Sequence, residues 1–283
     1  MRLRNNKNMK KNVELDLPEI HSATLQNLAT IIDICVQLNI NYYLAFGSLI
    51  GAIRNNGFIP WDDDCDIIML RTDYEKFKQY CIQNESKIAP YKLLCRENTH
   101  NYPYNIARFN DMRYKAVYEN TQQYDSGLFV DIYPFDQIGE LSVGQLRKLD
   151  NERSYLQQMI LLSTDDHYEK SKHNKWYRSI IKYVMHSYAK LRGQNYFMDK
   201  MEGLKDKYYD EKGNNIAELV WDFKTVICKK EWFEKALSHQ FENLTVKIPS
   251  GYDAFLRTYY GDYMKLPPME DRHPTHEYKL YKR

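Results

Sequence analysis

Proline, glycine and cysteine are scarce in this 283-residue chain, at 9, 11 and 5 residues. So little Pro and Gly excludes a collagenous or low-complexity chain. Cys35, Cys65, Cys81, Cys95 and Cys228 are odd in number, widely spaced and without a CxxC pair, which excludes a disulfide framework and a zinc ribbon and fits a reducing compartment. No run approaches the roughly 18 apolar residues of a membrane-spanning helix. Charge of one sign is also missing: 40 Lys+Arg stand against 38 Asp+Glu, a net charge of +2, so no marked basic excess marks a nucleic-acid binder. Met1 to Asn12 carry Arg2, Arg4, Lys7, Lys10 and Lys11 with no apolar run behind them, so no signal peptide is expected and residues 1–15 read as a flexible basic tail on a cytoplasmic protein. What is abundant is tyrosine, 25 residues, in a chain that is 43% apolar. A folded chain of this size buries roughly three-quarters of its unfolded surface, enough for a full core.

The local pattern is mixed. Asp16-Leu-Pro-Glu19 starts a helix whose apolar positions, Ile20 to Leu38, recur at helical spacing until Asn39. Tyr42–Phe46 is a short buried strand, Ser48–Arg54 a short helix broken at Asn55-Asn56-Gly57, and Cys65–Leu70 a second strand. Thr72-x-x-Glu75 has the form of a capping box opening the next helix. Tyr91–Cys95, Tyr104–Phe109 and Leu128–Tyr133 are further strands, Ser142 to about Tyr209 is helical, Phe241–Pro249 alternates like an edge strand, and Ser250-x-x-Asp253 opens a last helix closed by Gly261. The expectation is an α+β protein: a mixed-sheet core over 16–140, a helical subdomain over 141–240, and a C-terminal segment over 241–283 packing back on the core.

The most informative stretch is Phe58-Ile-Pro-Trp-Asp62-Asp63-Asp64-Cys65-Asp66-Ile67-Ile68, four acids in five positions between apolar residues. Strand alternation puts Asp64 and Asp66 on one face and Cys65 on the other. Two like charges beside apolar neighbours repel and desolvate poorly, and a hard divalent cation, Mg²⁺ or Mn²⁺, resolves the conflict with oxygen ligands. Gly47-Ser48 lies 16 residues before Asp64, after a strand and at a helix start, where backbone N–H groups face an anion. Strand, Gly-Ser turn, short helix and Asp-x-Asp strand resemble the core of the nucleotidyltransferase fold. That fold carries a third carboxylate on a neighbouring strand, and Asp131 in Leu128-Phe-Val-Asp-Ile-Tyr-Pro134 has the apolar context; Asp125 and Asp136 lie outside it.

The run from Phe46 to Ile68, FGSLIGAIRNNGFIPWDDDCDII, looks like the signature of the LicD family, shared with fukutin-related glycan-modifying enzymes. Gly127 to Asp136 is similar to its second motif, and Tyr259 to Pro268 with Arg272-His-Pro-Thr-His276 resemble its terminal segment. Cys65 departs from a commoner Ile, and Ala45-Phe46 precede Gly47 where a second Gly is frequent, but the carboxylates are intact. The resemblance covers about 20–138 and 230–280. It implies transfer of a phosphorylated alcohol, such as phosphocholine, from a CDP-activated donor such as CDP-choline to a sugar hydroxyl of a surface glycan, lipid-linked glycan, lipopolysaccharide, capsule or teichoic acid, with release of CMP. Asp64 and Asp66 would then hold Mg²⁺, and Asp131 would complete the metal site or take the hydroxyl proton.

Gly47 and Ser48 are candidate phosphate contacts, Arg54 and Arg108 candidate phosphate clamps, and Arg272, His273 and His276 gain interest from the resemblance alone. Lys170 to Arg192 holds seven Lys or Arg and no acid, with Lys175, Arg178, Lys182 and His186 on one stripe and Trp176, Ile180, Val184 and Leu191 opposite. That is either an interfacial helix for an anionic membrane or acceptor, or the solvated face of a core-packed helix. Two rivals stand beside phospho-alcohol transfer: a nucleotidyltransferase that releases pyrophosphate, and a glycan-binding scaffold without catalysis.

Overall fold

A computed structural model describes residues 13–118, 124–164, 176–222, 224–274 and 278–283. His276, Lys175 and the basic residues 1–12 lie outside that set.

The chain opens with α1 (Leu17–Leu38), β1 (Tyr43–Leu44), α2 (Phe46–Asn55), β2 (Asp66–Leu70), α3 (Arg71–Gln83), α4 (Glu85–Ile88), β3 (Tyr91–Leu94), β4 (Ala107–Asp111), β5 (Tyr114–Tyr118) and β6 (Leu128–Ile138). It continues through α5 (Val143–Leu162), α6 (Trp176–Arg192), α7 (Gln194–Glu202), α8 (Leu204–Tyr208), β7 (Asn215–Ala217), β8 (Cys228–Lys229), β9 (Ala236–Phe241), β10 (Leu244–Pro249), α9 (Tyr252–Tyr260) and β11 (Tyr278–Lys282). The architecture is α+β, as the mixed periodicities require.

The main sheet runs β1-β2-β6-β4-β3, and β7 and β8 extend it from the far end of β6. Among the described strands only β2 and β6 pair in parallel, with Asp66 opposite Asp131; β4 runs antiparallel to β6, with Arg108 opposite Asp131. β6 is central because its eleven residues are almost wholly buried, which suits its run of Phe, Val, Ile and Tyr. α1 packs Leu28, Ile31, Ile34 and Cys35 into the same core. A reciprocal cap starts that helix: Asp16 Oδ1 accepts the Glu19 N–H at 2.9 Å and Glu19 Oε2 accepts the Asp16 N–H at 3.1 Å. Asn39 ends it in the left-handed region, φ 50°. All five cysteines are buried and none is in a disulfide.

Several expectations need correcting. The Thr72/Glu75 capping box does not form, since β2 runs straight into α3 with Leu70 at the cap position and no side-chain cap bond. Arg71 instead fixes that junction through Asp136 (2.7 and 2.9 Å) and Glu202 (2.9 Å). The edge strand over 241–249 is the second arm of the hairpin β9–β10. The α-helical stretch of 141–240 ends at Tyr208, and Asn215–Ala217 and Cys228–Lys229 rejoin the main sheet, so tertiary pairing moves that boundary. Residues 13–15 are not tail: Leu15 N–H donates to the Leu280 carbonyl at 2.8 Å and Glu14 bridges to Tyr281.

α6 departs most from a core-packed helix. Its apolar side chains Ile180, Val184 and Leu191 are 52%, 58% and 83% exposed, while Ala189 is buried. No described helix is long and apolar enough to cross a membrane.

Candidate active site

The acidic loop is held from three directions. His21 on α1 stacks on Phe58 (centroids 4.1 Å, 4° between planes) and its Nε2 donates to the Asp62 carbonyl at 2.6 Å. Tyr278 on β11 donates to the Asp63 carbonyl at 3.2 Å, and Glu242 in the β9–β10 turn accepts the Phe58 N–H at 3.1 Å. None of these three residues carried a local signal in the sequence, because each comes from a distant segment. Gly47 lies close under the loop: a Cβ there would lie 2.7 Å from Asp62 Oδ2 and would push that carboxylate aside. Ser48, buried behind it, accepts the Asp66 N–H on its hydroxyl at 2.9 Å and so braces the aspartate strand.

Asp64, Asp66, Asp131 and Arg108 line one cleft of ≈ 420 Å³. Asp66 is 7% exposed, and its Oδ1 has no hydrogen-bond partner. Burial, then the charges of Asp64, Asp131 and Asp62, push its carboxyl well above the usual carboxylate range, with Arg108 opposing. Asp131 is handled differently. Arg108 grips both its oxygens, Nε to Oδ1 at 2.7 Å and Nη2 to Oδ2 at 3.2 Å, and Nη1 reaches the Tyr118 and Tyr124 hydroxyls at 3.2 and 2.9 Å. The guanidinium lies between the Tyr104 and Phe129 rings, 4.1 and 4.0 Å from their centroids. Arg108 therefore faces the cleft, engaged with Asp131.

No group of three or more His, Cys, Asp or Glu among the described residues converges as a metal site. The donor set nevertheless fits a hard cation: the orphaned, buried carboxylate oxygen on Asp66 beside the Asp64 carboxylate offers oxygen ligands of the kind Mg²⁺ takes.

Arg54 and Arg272 lie outside this cleft lining. Arg54 bonds Asn55 Oδ1 (3.2 Å) and the Tyr263 carbonyl (3.4 Å), and its pKa is lowered by burial and by the charge of Arg272. Arg272 bonds the Pro267 carbonyl at 2.9 Å and sits 5.5 Å from the Trp61 ring. His273 is exposed and bonds the Pro274 carbonyl. Asp136 is committed to Arg71, and Asp125 to Arg283 at 2.5 Å.

The other wall of the cleft escaped the sequence reading. Phe46, Tyr133, Trp221, Asp222, Tyr259 and Tyr260 form it. Tyr259 and Tyr260 open the terminal motif, but Trp221 and Asp222 sit in a stretch without any motif. A buried frame places them: Arg153 of α5 binds Glu218 Oε2 at 2.7 Å and Thr225 Oγ1 at 2.8 Å, while Glu218 accepts the N–H groups of Val220, Trp221 (2.6 Å) and Asp222 (3.0 Å). A second cavity of ≈ 500 Å³ is lined by Arg71, Glu75, Lys78, Glu97 and Glu202, whose charges already pair with one another.

Residues 39–162 match the nucleotidyltransferase domain model described as LicD/FKTN/FKRP. That stretch is similar to the nucleotidyltransferase domain of the LicD family. It is 29% identical over 253 residues to the lipopolysaccharide cholinephosphotransferase LicD of Haemophilus influenzae, covering 88% of this chain and 91% of that one. An uncharacterised protein of Rickettsia typhi is 30% identical over 128 residues, 37% of this chain and 39% of its own length. The matched domain spans α2, the acidic loop, β2 and β6, which carry Asp64, Asp66 and Asp131.

Proposed function

We propose that this protein transfers a phosphorylated alcohol, phosphocholine or a close analogue, from a CDP-activated donor to a sugar hydroxyl of a surface glycan such as lipopolysaccharide, with release of CMP. The observation that carries this reading is the orphaned Asp66 oxygen beside Asp64 in a cleft with an aromatic wall, within a LicD-family domain. Asp64 and Asp66 are the residues that would hold Mg²⁺ or Mn²⁺. When bound, the cation neutralises the donor's phosphate charge.

The residues of the chain do the rest. The start of α2 presents its N–H groups toward the phosphates. Arg108 fixes the direction of the Asp131 carboxylate, which receives the proton of the acceptor hydroxyl. A new P–O bond forms to the sugar oxygen, the P–O bond to the bridging oxygen breaks, and CMP leaves with that oxygen. A loose transition state asks little of its base, so an Arg-paired carboxylate suffices. The aromatic wall excludes water that would otherwise hydrolyse the donor.

Acceptor delivery falls to α6. Its exposed Ile180, Val184 and Leu191, beside Arg178 and Arg192 on a helix with no acid, suit an anionic, lipid-linked acceptor at the cytoplasmic membrane face. Product analysis tests the reading: purified protein, CDP-choline, Mg²⁺ and acceptor should yield CMP. Pyrophosphate from CTP would instead identify a nucleotidyltransferase, and nucleotide binding without turnover a scaffold.

A further inference from the structure

Outside the cleft, the fold brings two cations together without an acid between them. Arg54, in the last turn of α2, donates only to neutral oxygens, Asn55 Oδ1 at 3.2 Å and the Tyr263 carbonyl at 3.4 Å. Arg272 donates to the Pro267 carbonyl at 2.9 Å and rests 5.5 Å from the centre of the Trp61 ring. Tyr263 and Pro267 both belong to the segment that follows α9, so one short stretch of backbone gathers the two guanidinium groups next to Trp61 at the head of the acidic loop.

Among the described residues no carboxylate pairs with either group. Burial and then the charge of Arg272 lower the Arg54 pKa, with no acid opposing them. The dipole of α2 accounts for one cation at its C-terminal end, but not for a second beside it. Two half-buried like charges repel unless an anion joins them.

Charge selects the anion. A phosphate monoester carries about 1.5 to 2 negative charges at neutral pH and offers oxygens to both planar forks, whereas a carboxylate balances one cation only. Position selects the molecule that brings it. Phe46, in the first turn of α2, lines the Asp64/Asp66 cleft, and Arg54 sits at the far end of that helix, about 12 Å on by helix rise. The two donor phosphates share a bridging oxygen, so phosphates held at Asp64 and Asp66 do not extend that far. The anion at Arg54 therefore belongs to the other substrate.

We propose that Arg54 and Arg272, the latter oriented by Trp61, form an acceptor subsite that binds a phosphate monoester on the glycan near the sugar to be modified. This rests on the transfer reading above and adds the class of acceptor, a phosphorylated sugar. Trp61 and Asp64 belong to one short loop, so a phosphate anchored at its head holds the acceptor beside the cleft.

The test compares a phosphorylated glycan with the same glycan after phosphatase treatment, with CDP-choline and Mg²⁺, reading CMP release by the full chain. Wild type should favour the phosphorylated form by at least about 10-fold in kcat/KM, chiefly through KM. Arg54→Gln and Arg272→Gln should each shrink that preference to within about 3-fold. Trp61→Leu should raise KM for the phosphorylated glycan by about 3-fold and leave KM for CDP-choline unchanged. No preference in wild type, or an unchanged preference in Arg variants that keep their circular dichroism, overturns the subsite while leaving the transfer standing. An equal rise in the Ki of CMP, itself a phosphate monoester, also overturns it, because the anion would then be the nucleotide's. If no donor yields CMP, the transfer reading fails and binding decides the subsite. Wild type should then bind glucose 6-phosphate at least about 10-fold more tightly than glucose, and Arg272→Gln should remove the difference. Equal binding of the two sugars by wild type overturns the subsite.

Discussion

Asp66 and Asp131 face each other in register across the parallel pair β2–β6, both almost fully buried, and the fold treats them in opposite ways. Asp131 has a dedicated guanidinium on the next strand, itself clamped by two rings and two tyrosine hydroxyls. Asp66 has an unmatched oxygen and carboxylates for neighbours. A buried charge is costly without a partner, so the first arrangement is complete without a ligand and the second is not. Balanced and unbalanced carboxylates at equal depth separate what holds the site from what the site holds.

The comparison breaks most sharply at the unbalanced end. Asp66→Asn and Asp64→Asn should each lower CMP release by at least about 10³-fold with the fold retained, because each removes a ligand for the charge-neutralising cation. Chelator should abolish turnover equally, and Mg²⁺ or Mn²⁺ should restore it. Full activity in excess chelator would remove the assignment of both residues.

At the balanced end stability should change. Arg108→Met strands Asp131 in the interior and should cost about 3 kcal/mol in denaturant unfolding. The double variant Arg108→Met/Asp131→Leu should recover most of that, but none of the activity. If the single variant is as stable as wild type, the pair is not what offsets the buried charge.

A smaller effect lies in the pH dependence of stability without metal. The Asp66 carboxyl sits above its unfolded value, so the folded state holds a proton that the unfolded state releases. Its favourable contribution is therefore full below about pH 4 and fades as pH rises toward the elevated folded value. In chelator Asp66→Asn should melt higher than wild type at neutral pH, with the gap closing near pH 4. A constant gap would mean that Asp66 is not the titrating group.

The smallest effect on the fold belongs to α6. The triple change Ile180→Ser, Val184→Ser, Leu191→Ser should leave stability within about 0.5 kcal/mol, since these side chains are exposed. Co-sedimentation with anionic vesicles should be lost. Raising salt should weaken wild-type binding, because attraction between exposed charges is screened over about 8 Å at physiological ionic strength. Unchanged sedimentation would reduce the stripe to solvent-exposed surface.

What was legible in the sequence was local in chain distance. The acidic run, Gly47-Ser48 and Asp131 each sit in a short segment whose apolar neighbours dictate strand or helix, and alternation places Asp64 and Asp66 on one side. The helical stretch after Ser142 could also be read, because its apolar spacing is continuous along one segment. The hairpin β9–β10 was half read: Leu244–Pro249 alternates, while the start of β9 is recognisable only by its partner.

The sequence by itself determined the α+β class, the resemblance to the LicD signature and the acids that the cleft gathers, because each is written within a few residues of chain. Tertiary structure alone decided that Arg108 belongs to Asp131, that His21, Glu242 and Tyr278 hold the acidic loop, and that the buried Arg153–Glu218 pair swings Trp221 and Asp222 into the cleft. Those partners lie tens to hundreds of residues apart, and charge pairing and ring packing depend on distance in space, which no local periodicity encodes.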